Sequence, residues 1–402
     1  MTSRDFEKKA QEYLTTLCGI QPNRRTGSPG NRKATRYFAE IIGPLGYSAD
    51  TTPFDCLDYS AGGASLTSGE QQFTVYQSPY SLPCDVTAPV VAVSTAEELA
   101  SARCTDCILL LQGEICREQL MPKNFPFYNP EEHKRIYDML EAERPAAVLT
   151  ATGRNPELVG ALYPYPLIND GDFEIPTAYC TDFVGKKIMQ SGAEHFRLTI
   201  NAERIPATAS NVIALKNPGA EKKVVVTAHI DAYEESPGAT DNATGTAVLL
   251  LLAELLSDYR GPLEIEIAAF NGEDHYSAAG ELDYLKRYGS DLERTLLVIN
   301  IDDIGYVEGK SAYSFYECRL EFEQAGREIF THCPGITEGE PWYNGDHMVF
   351  VHKGVPAVAF AAEYMPELMR KYTHTSQDTP GIVDCKKVVE VARALEQFIR
   401  NL

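Results

Sequence analysis

The stretch that decides the fold runs from Lys223 to Leu256 and reads KVVVTAHIDAYEESPGATDNATGTAVLLLLAELL. It begins with an apolar run through Ala228, which is typical of a strand buried on both faces. A polar, glycine-containing loop follows, and the apolar segment from Ala243 to Ser257 then predicts a helix. A buried strand, a loop and a helix in this order indicate one unit of a parallel α/β sheet.

The chain on either side of this stretch repeats the alternation. Strands are predicted over residues 212–215, 263–270, 296–301 and 355–360, and helices over 277–288, 320–333 and 386–400. Strands that alternate with helices favour a parallel sheet covered on both sides. The fold class that we expect is therefore α/β, with a predominantly parallel central sheet and helices on both faces. Two more helices are predicted within residues 1–47, around a loop at 23–30.

Residues 56–205 have a different character. Short β-rich runs such as Val90–Val93 occur there, and one helix is predicted from about Pro130 to Glu143. We therefore expect a smaller inserted α/β domain at 56–205. It would divide the main domain into the segments 1–55 and 206–402.

The chain is strongly acidic. Its 402 residues include 36 lysines and arginines and 57 aspartates and glutamates, for a formal charge of -21. Such a surface repels phosphate backbones and anionic lipids, which argues against nucleic acid and membranes as partners. The most apolar run, Ala247–Leu256, contains Glu254 and is short of the ~20 apolar residues of a membrane span. The first residues lack the apolar region of a signal peptide, so the expected location is cytoplasmic.

The cysteines are scattered along the chain, and Cys104 and Cys107 form one C-x-x-C pair. A structural zinc site of this type normally needs a second pair, which the sequence does not contain. Without a secretion signal, free thiols are the expected state, and a redox or metal role is the alternative.

Side chains that bind metals follow the predicted strands at the point where each strand ends. In open α/β sheets, ligands bind beyond the carboxyl ends of the strands. The residues at these ends and in one late loop are His229, Asp231, Asp241, Glu273, Asp274, Asp302, Asp303 and His374. Imidazole and carboxylate are the usual zinc ligands outside thiolate sites, so the set predicts a zinc centre. Co²⁺ or Mn²⁺ would accept the same ligands.

The ligands can be divided between two ions. Two metal ions ~3.5–4 Å apart form a recurrent catalytic site, and the two oxygens of one carboxylate can bridge them. Asp241, in its glycine-containing loop, is the candidate bridge. His229 and Asp302 would complete one site, and Asp274 and His374 the other. The alternative for Asp241 is a helix cap, because a helix follows it.

Other residues near these ligands have predicted roles. Glu273 is left free of the metals as a candidate general base, and Asp231 can orient the His229 imidazole through its second nitrogen. The other histidines are interpreted as structural or surface residues, and His275 is the one nearest the site. Asp346 and His347 either shape the pocket wall or are structural.

These motifs resemble the zinc exopeptidase family that includes bacterial leucyl aminopeptidase, aminopeptidase Y and glutamate carboxypeptidase. The matching elements are H-x-D at 229–231, G-A-x-D-N-x-x-G at 238–245, G-E-D at 272–274, N-x-D at 300–302, G-D-H at 345–347 and H-T-x-x-D-T at 374–379. The segment 22–31 extends the resemblance towards the N-terminus.

The resemblance implies a phosphorylase/hydrolase-like α/β fold and a protease-associated-like domain in the insert. It also implies that Asp241 bridges the metals, that Glu273 is the general base and that Asp231 contacts a metal ligand without binding a metal itself. A cis peptide bond between Asp241 and Asn242 is a further expectation. Two positions depart from the family pattern.

The first departure concerns the oxyanion. Many members have tyrosine immediately before the last histidine ligand, whereas Thr373 stands there in this chain and Tyr372 lies one residue earlier. The oxyanion donor is therefore left open between Tyr372, Thr373 and another group. The second departure is Asp274, where many aminopeptidases have the longer glutamate.

The leading hypothesis is a di-zinc aminopeptidase that hydrolyses N-terminal residues from small peptides, with a metal-activated water and Glu273 as general base. One alternative is a carboxypeptidase for acidic dipeptides, which needs arginines for the substrate carboxylates; Arg24, Arg25 and Arg154 are available. Others are a single-zinc glutaminyl cyclase and a non-enzymatic binding module. The intact set of five ligands argues against these last two.

Overall fold

The computed structural model describes residues 2–154, 163–234 and 236–402. These residues divide into two compact units. The first unit combines the segment that ends at Cys56 with Thr208–Leu402, and the second unit is Leu57–Ala207. The sequence analysis placed these junctions after residue 55 and after residue 205. No helix in the described ranges is long and apolar enough to cross a membrane.

The secondary structure alternates between strands and helices over most of the first unit. The strands of the described residues, in chain order, are β1 (Ser48–Asp50), β2 (Phe54–Ser68), β3 (Gln71–Phe73), β4 (Tyr76–Gln77), β5 (Cys84–Ala88), β6 (Val90–Val93), β7 (Ile108–Leu111), β8 (Ala147–Thr152), β9 (Thr177–Thr181), β10 (Phe196–Ala209), β11 (Val212–Lys216), β12 (Lys223–His229), β13 (Glu264–Phe270), β14 (Thr295–Ile301), β15 (Ser311–Tyr316), β16 (Ile336–Glu338) and β17 (Ala357–Ala362). The α-helices are α1 (Ser3–Cys18), α2 (Pro29–Ile42), α3 (Ala96–Ser101), α4 (Glu131–Glu143), α5 (Asp182–Gln190), α6 (Thr244–Leu255), α7 (Ala279–Tyr288), α8 (Leu320–Phe330), α9 (His347–Val351), α10 (Met365–Lys371) and α11 (Cys385–Asn401).

The first unit is built on an eight-stranded sheet in the order β1-β11-β13-β12-β14-β17-β15-β16. The four central strands, β13, β12, β14 and β17, are parallel to one another. Towards the edges, β11 and β15 run antiparallel to β13 and β17. The sequence analysis missed β15, because its sequence SAYSFY is neither a continuous apolar run nor a regular alternation of apolar and polar residues, although its aromatic residues favour a strand.

Helices cover both faces of this sheet, as predicted. On one face, Val224 and Val226 of β12 belong to a buried apolar cluster with residues of α1, α2, α6 and α11. On the other face, the Phe270 ring contacts Tyr284 of α7 and Phe350 of α9, with ring centroids 5.0 Å and 6.3 Å apart. Side chains of a strand alternate between the two faces of a sheet, so both layers draw on the same central strands.

Helix α6 is buried on every side. All of its residues from Thr244 to Ala253 are buried, as expected for a helix that is apolar around its whole circumference. The helix begins two residues after Asn242, so the loop that carries Asp241 is joined directly to the centre of the core.

A buried ion pair lies near the amino-terminal ends of the central strands. Lys223 Nζ donates a hydrogen bond of 2.7 Å to Glu266 Oε2, and the two residues are 0% and 1% exposed. The Tyr284 hydroxyl donates to the other carboxylate oxygen of Glu266, and Asp291 Oδ2 lies 3.2 Å from Lys223 Nζ. A buried charge is costly unless it is paired and hydrogen-bonded, and these partners meet both needs.

The second unit contains two sheets, in the orders β3-β2-β10-β5 and β4-β9-β8-β7-β6. Strands β6 to β9 are parallel. Leu66 and Phe196 from the first of these sheets share an apolar cluster with Leu110 and Leu149 from the second. Helix α4 confirms the helix predicted there. Helices α3 and α5 were missed, because six and nine residues are too few to show a clear helical periodicity.

The C-x-x-C pair lies in a turn before β7. Cys104 and Cys107 are buried free cysteines, and the Cys107 thiol donates a 2.7 Å hydrogen bond to the Cys104 carbonyl oxygen. Burial raises the pKa of the Cys107 thiol to about 12. The structure therefore places two protonated thiols in the core of the second unit, in agreement with the expected state.

Candidate metal centre

The predicted ligands meet at one edge of the central sheet. Strands β12, β13 and β14 are parallel, so their carboxyl ends lie at the same edge. His229 is the last residue of β12, Asp274 follows β13, and Asp302 comes directly after β14. Asp241 is carried by the loop before α6, and His374 by the loop after α10.

The His229 imidazole faces two carboxylates. Its Nε2 atom lies 3.0 Å from Asp241 Oδ1 and 3.4 Å from Asp302 Oδ1. A third carboxylate oxygen, Glu273 Oε2, lies 4.0 Å from the same nitrogen. His229 is 1% exposed, so these three carboxylates converge on a buried imidazole edge.

The His374 imidazole faces the other oxygen of the same aspartate. Its Nε2 atom lies 2.9 Å from Asp241 Oδ2 and 2.7 Å from Asp274 Oδ1. The two oxygens of Asp241 are therefore directed to two different histidines, each of which also faces a second aspartate. This is the arrangement that one bridging carboxylate between two ions requires.

The loop of Asp241 has an unusual backbone. The peptide bond between Asp241 and Asn242 is cis, as the family resemblance implied. Gly238, which opens the loop, has a φ of 60°, and a Cβ atom there would lie 2.4 Å from the Asp241 carbonyl oxygen. Only glycine combines this left-handed conformation with such a close approach. The backbone conformation of this loop therefore explains why the G-A-T-D-N motif begins with glycine.

The donor set fits a zinc ion. Ligand atoms of His229, Asp241 and Asp274 lie within 4.8 Å of one another, and this is the one such grouping of histidine, cysteine and acidic residues in the described ranges. Both ring nitrogens of His229, Asp274 Oδ2 and Asp302 Oδ1 are buried without a hydrogen-bond partner. Buried nitrogen and oxygen donors that no protein group satisfies match the imidazole and carboxylate ligands of zinc.

Burial and mutual repulsion perturb the acids of this cluster. Burial raises the pKa of Asp274, Asp302 and, strongly, Glu273, and neighbouring carboxylates raise each further. Burial alone would lower the pKa of His229, but Asp302, Asp231 and Asp241 raise it well above its usual value. Burial likewise opposes ionisation of Asp241, yet the two neighbouring imidazoles of His229 and His374 lower its pKa. A bound cation would compensate this concentration of negative charge.

Asp231 lies behind His229. Its Oδ1 atom is 3.6 Å from His229 Nδ1, on the ring edge opposite the ligand cluster. The Thr26 hydroxyl donates a 3.0 Å hydrogen bond to Asp231 Oδ2. Asp231 is 1% exposed, so it is in position to fix the ring orientation of His229.

His275, Asp346 and His347 have different surroundings. His275 Nδ1 is 3.1 Å from Ser277 Oγ, within its own loop. Asp346 is buried with both carboxylate oxygens unpartnered. The His347 ring lies between Trp342 and Tyr316, with ring centroids 4.5 Å away in each case. Burial lowers the pKa of His347 to about 4, so this ring is neutral.

The arginines suggested for substrate carboxylates have other partners. The Arg24 guanidinium donates to the backbone carbonyl oxygens of Leu17, Ile230, Pro237 and Gly238. Its role is to support the loops behind the site, and the suggestion that it binds substrate is wrong. The sequence could not show this, because the carbonyl partners lie up to 214 residues away in the chain.

Arg25 also has another partner, and the suggestion for Arg154 stays a prediction. Arg25 Nη1 pairs with Glu234 Oε1 at 2.7 Å. Arg154 belongs to the second unit.

Three side chains near His374 are candidates for the oxyanion donor. The Thr373 hydroxyl is buried without a hydrogen-bond partner. The Tyr372 ring packs against Tyr306, with centroids 5.9 Å apart. Tyr233, which the sequence analysis did not single out, stacks on the His374 ring with centroids 4.6 Å apart and planes at 9°. Its position two residues after Asp231 was the available signal.

Asp378 is a second residue that the sequence analysis passed over. It is fully buried and accepts hydrogen bonds from Thr240 N at 2.8 Å, Thr240 Oγ1 at 2.9 Å and Asp241 N at 3.1 Å. Burial raises the pKa of Asp378 to about 6. The motif H-T-S-Q-D-T contains this residue, but a motif does not show what its members touch.

Comparison with known proteins bears on this fold. Residues 211–399 match the model of Peptidase family M28. Aminopeptidase YwaD of Bacillus subtilis (strain 168) is 29% identical over 189 residues, which cover 43% of this chain and 40% of that protein. Glutaminyl-peptide cyclotransferase of Drosophila melanogaster is 23% identical over 231 residues, covering 47% of this chain and 63% of that protein. The chain thus spans between 40% and 63% of the length of these two curated relatives.

A solved structure agrees along nearly the whole chain. An aminopeptidase from Aneurinibacillus sp. strain AM-1 has a TM-score of 0.77 at 22% identity, over 98% of this chain and 93% of that chain. The likeness establishes the fold. The segment that matches Peptidase family M28 contains all five predicted ligands.

Proposed function

We propose that this chain is an aminopeptidase that releases N-terminal residues from peptides with two zinc ions. The observation that carries the proposal is the placement of Asp241, whose Oδ1 lies 3.0 Å from His229 Nε2 and whose Oδ2 lies 2.9 Å from His374 Nε2. The names of the relatives, which include aminopeptidases from two bacteria, support the same reaction.

The chain would hold one ion with His229 and Asp302, the other with Asp274 and His374, and both with Asp241. Bound zinc supplies Lewis acidity, which polarises a carbonyl group and lowers the pKa of water to about 7. The remaining chemistry belongs to the protein, and its central task is proton transfer.

Glu273 is placed for that task. Its carboxylate lies 4.0 Å from His229 Nε2, beside the ligands, and its side chain is 22% exposed. Burial and the neighbouring acids raise the pKa of Glu273 well above its usual value, which suits a group that takes a proton and later gives it to the leaving amine.

The arginines suggested for substrate carboxylates bear on the choice of substrate. An acidic dipeptide would need free guanidinium groups, but Arg24 is bound to backbone carbonyls and Arg25 pairs with Glu234. These contacts of Arg24 and Arg25 disfavour a carboxypeptidase that acts on acidic dipeptides.

Glutaminyl cyclisation is the second candidate, because a glutaminyl-peptide cyclotransferase is among the relatives. The two reactions share a substrate class, peptides with a free amino terminus, and they differ in the mass of the product. Hydrolysis removes a whole residue, whereas cyclisation of an N-terminal glutamine releases only ammonia.

The test is mass spectrometry of a peptide pool incubated with the zinc-loaded chain. Each peptide is present with a free and with an acetylated N-terminus. Loss of single residues from the free N-termini alone is the expected result. Loss of ammonia from N-terminal glutamine without trimming would establish the cyclase instead, and loss of C-terminal residues would overturn both assignments.

A further inference from the structure

The turn that carries Asp241 is not a regular helix and needs its own supports. Asp241 and Asn242 have φ/ψ values of -115°/85° and -137°/52°, outside the helical region. Asn242 supports the carboxyl side of the turn, since its Nδ2 donates to the Ile301 carbonyl oxygen and its Oδ1 accepts from Gly245 N, both at 2.8 Å. The N–H groups before the cis bond must find other partners, because buried backbone donors are almost always paired.

Asp378 supplies those partners. Its carboxylate accepts hydrogen bonds from Thr240 N and Oγ1 through Oδ1, and from Asp241 N through Oδ2. Its backbone carbonyl oxygen accepts a further bond of 3.1 Å from Ala239 N. One residue therefore binds three consecutive N–H groups of the turn, and Asp378, Thr240 and Ala239 are all 0% exposed.

The same short segment also reaches the carboxylate of Asp241. His374 lies four residues before Asp378, and its Nε2 atom is 2.9 Å from Asp241 Oδ2. A turn joins the two residues, in which Asp378 N donates to the Thr375 carbonyl oxygen at 3.1 Å. The segment 374–378 thus contacts Asp241 twice, at its backbone N–H and at its side chain.

We propose that Asp378 is a positioning residue that fixes the orientation of the Asp241 carboxylate and sets the affinity for the ion on the His374 side. The inference rests on the proposed function. His229 ends β12 and Asp302 follows β14, so those two ligands are held by the sheet and not by Asp378. The ion on the His229 side therefore depends less on this residue.

The first test is Asp378→Asn, studied as the full chain by zinc titration against a chromogenic chelator. Asparagine has the same size, but one of its oxygens is replaced by an amide nitrogen, so an N–H of Thr240 or Asp241 loses its acceptor. Loss of a group that orients a metal ligand typically weakens metal affinity 10–100-fold. We expect a decrease of this size in the affinity for one of the two ions, and a smaller change in the affinity for the other.

Two further variants separate positioning from general damage. Thr240→Val removes only the hydroxyl bond to Asp378 and keeps both N–H bonds, so it should lower the affinity for the same ion by a smaller factor. It also serves as the test if Asp378→Asn does not fold. Asp384→Ala is the control, because Asp384 caps α11 through Lys386 N at 3.0 Å and should lower thermal stability without changing zinc affinity.

Cobalt substitution gives a readout that a purely structural role would not move. If Asp378 positions Asp241, the visible absorption of the cobalt-loaded chain changes in Asp378→Asn and stays as in the wild type in Asp384→Ala. Unchanged zinc affinities and an unchanged cobalt spectrum in folded Asp378→Asn, with two ions bound by the wild type, overturn the inference alone. A wild-type chain that binds fewer than two ions overturns the proposed function together with the inference.

Discussion

Arg24 Nη2 donates a 3.0 Å hydrogen bond to the carbonyl oxygen of Gly238, the residue that opens the loop of Asp241. The same guanidinium donates to Ile230 O at 3.2 Å, in the segment that follows His229. One buried cation therefore connects the loops that carry two of the proposed ligands. Arginine suits this role because its planar group presents five donors at fixed angles.

Replacement of Arg24 by lysine should therefore destabilise the first unit by about 3 kcal/mol. Lysine keeps the charge but cannot reach four carbonyl oxygens, and buried polar groups left without partners cost 1–3 kcal/mol each. Urea unfolding followed by tryptophan fluorescence measures this, since the one tryptophan of the chain, Trp342, lies in the first unit. Arg319→Lys is the control, because Arg319 lies in the first unit and its pair with Glu321 is exposed, so the stability should stay near that of the wild type.

Gly245→Ala should disturb the site from the side of α6. A Cβ atom at this position would lie 2.4 Å from Asn242 Oδ1 and 2.5 Å from the Ile301 carbonyl oxygen. Both neighbours adjoin proposed ligands, so we expect a loss of about 1–3 kcal/mol in stability and weaker zinc binding. Gly289→Ala meets no atom within 4 Å and should be neutral or slightly stabilising. Equal behaviour of the two variants would contradict the close packing around Gly245.

Glu273→Gln should separate catalysis from metal binding. The amide cannot accept and return a proton, so the rate of peptide hydrolysis should fall on the order of 10²–10⁴-fold. Zinc content should stay at the wild-type value, because Glu273 is not among the proposed ligands. Glu221→Gln, at an exposed position, should keep the full rate. A variant at residue 273 that hydrolyses peptides as fast as the wild type would exclude Glu273 as the general base.

His347→Gln should change how stability depends on pH. Burial lowers the pKa of His347 from 6.5 to about 4, and the neutral ring accepts from Asn300 Nδ2 and donates to the Trp342 carbonyl oxygen. Between these pH values the unfolded chain binds a proton that the folded chain excludes, so stability present above pH 6.5 is lost as the pH falls. The loss from pH 7.5 to pH 5 should be about 2 kcal/mol smaller in the variant.

Urea unfolding of wild type and His347→Gln at the two pH values, followed by circular dichroism, measures that difference. Other titrating groups contribute equally to both proteins and cancel. The same pH dependence in both would mean that His347 has the same pKa in the folded and in the unfolded chain, which contradicts the predicted shift.

The central strands and their ligands were predictable because their signals are local. Buried strands such as β12 are continuous apolar runs, and His229 stands where such a run ends. The metal cluster follows from that placement, since parallel strands end at one edge. The predicted helix at Ser277 begins instead at Ala279, a small error at an element boundary.

The supports of the site were not predictable from the sequence. Arg24 and Asp378 act through contacts with residues more than a hundred positions away. The sequence letter is the same for a buried and for an exposed arginine. No local pattern distinguishes an aspartate that accepts hydrogen bonds from backbone N–H groups from an aspartate that is exposed to solvent. The fold must be known before such contacts can be seen.

The buried pair of Lys223 and Glu266 selects one alignment of β12 and β13. Lys223 lies opposite Glu264 in this alignment, and its ammonium reaches Glu266. A slip of two residues that moves Lys223 away from Glu266 would keep every side chain on the same face but would separate the charges and leave them buried and unpaired, which is costly. The pair therefore disfavours a register that apolar burial alone would tolerate. His229 is thus brought to the sheet edge by strand alignment, and the chain is expected to assemble its ligand cluster before any ion arrives.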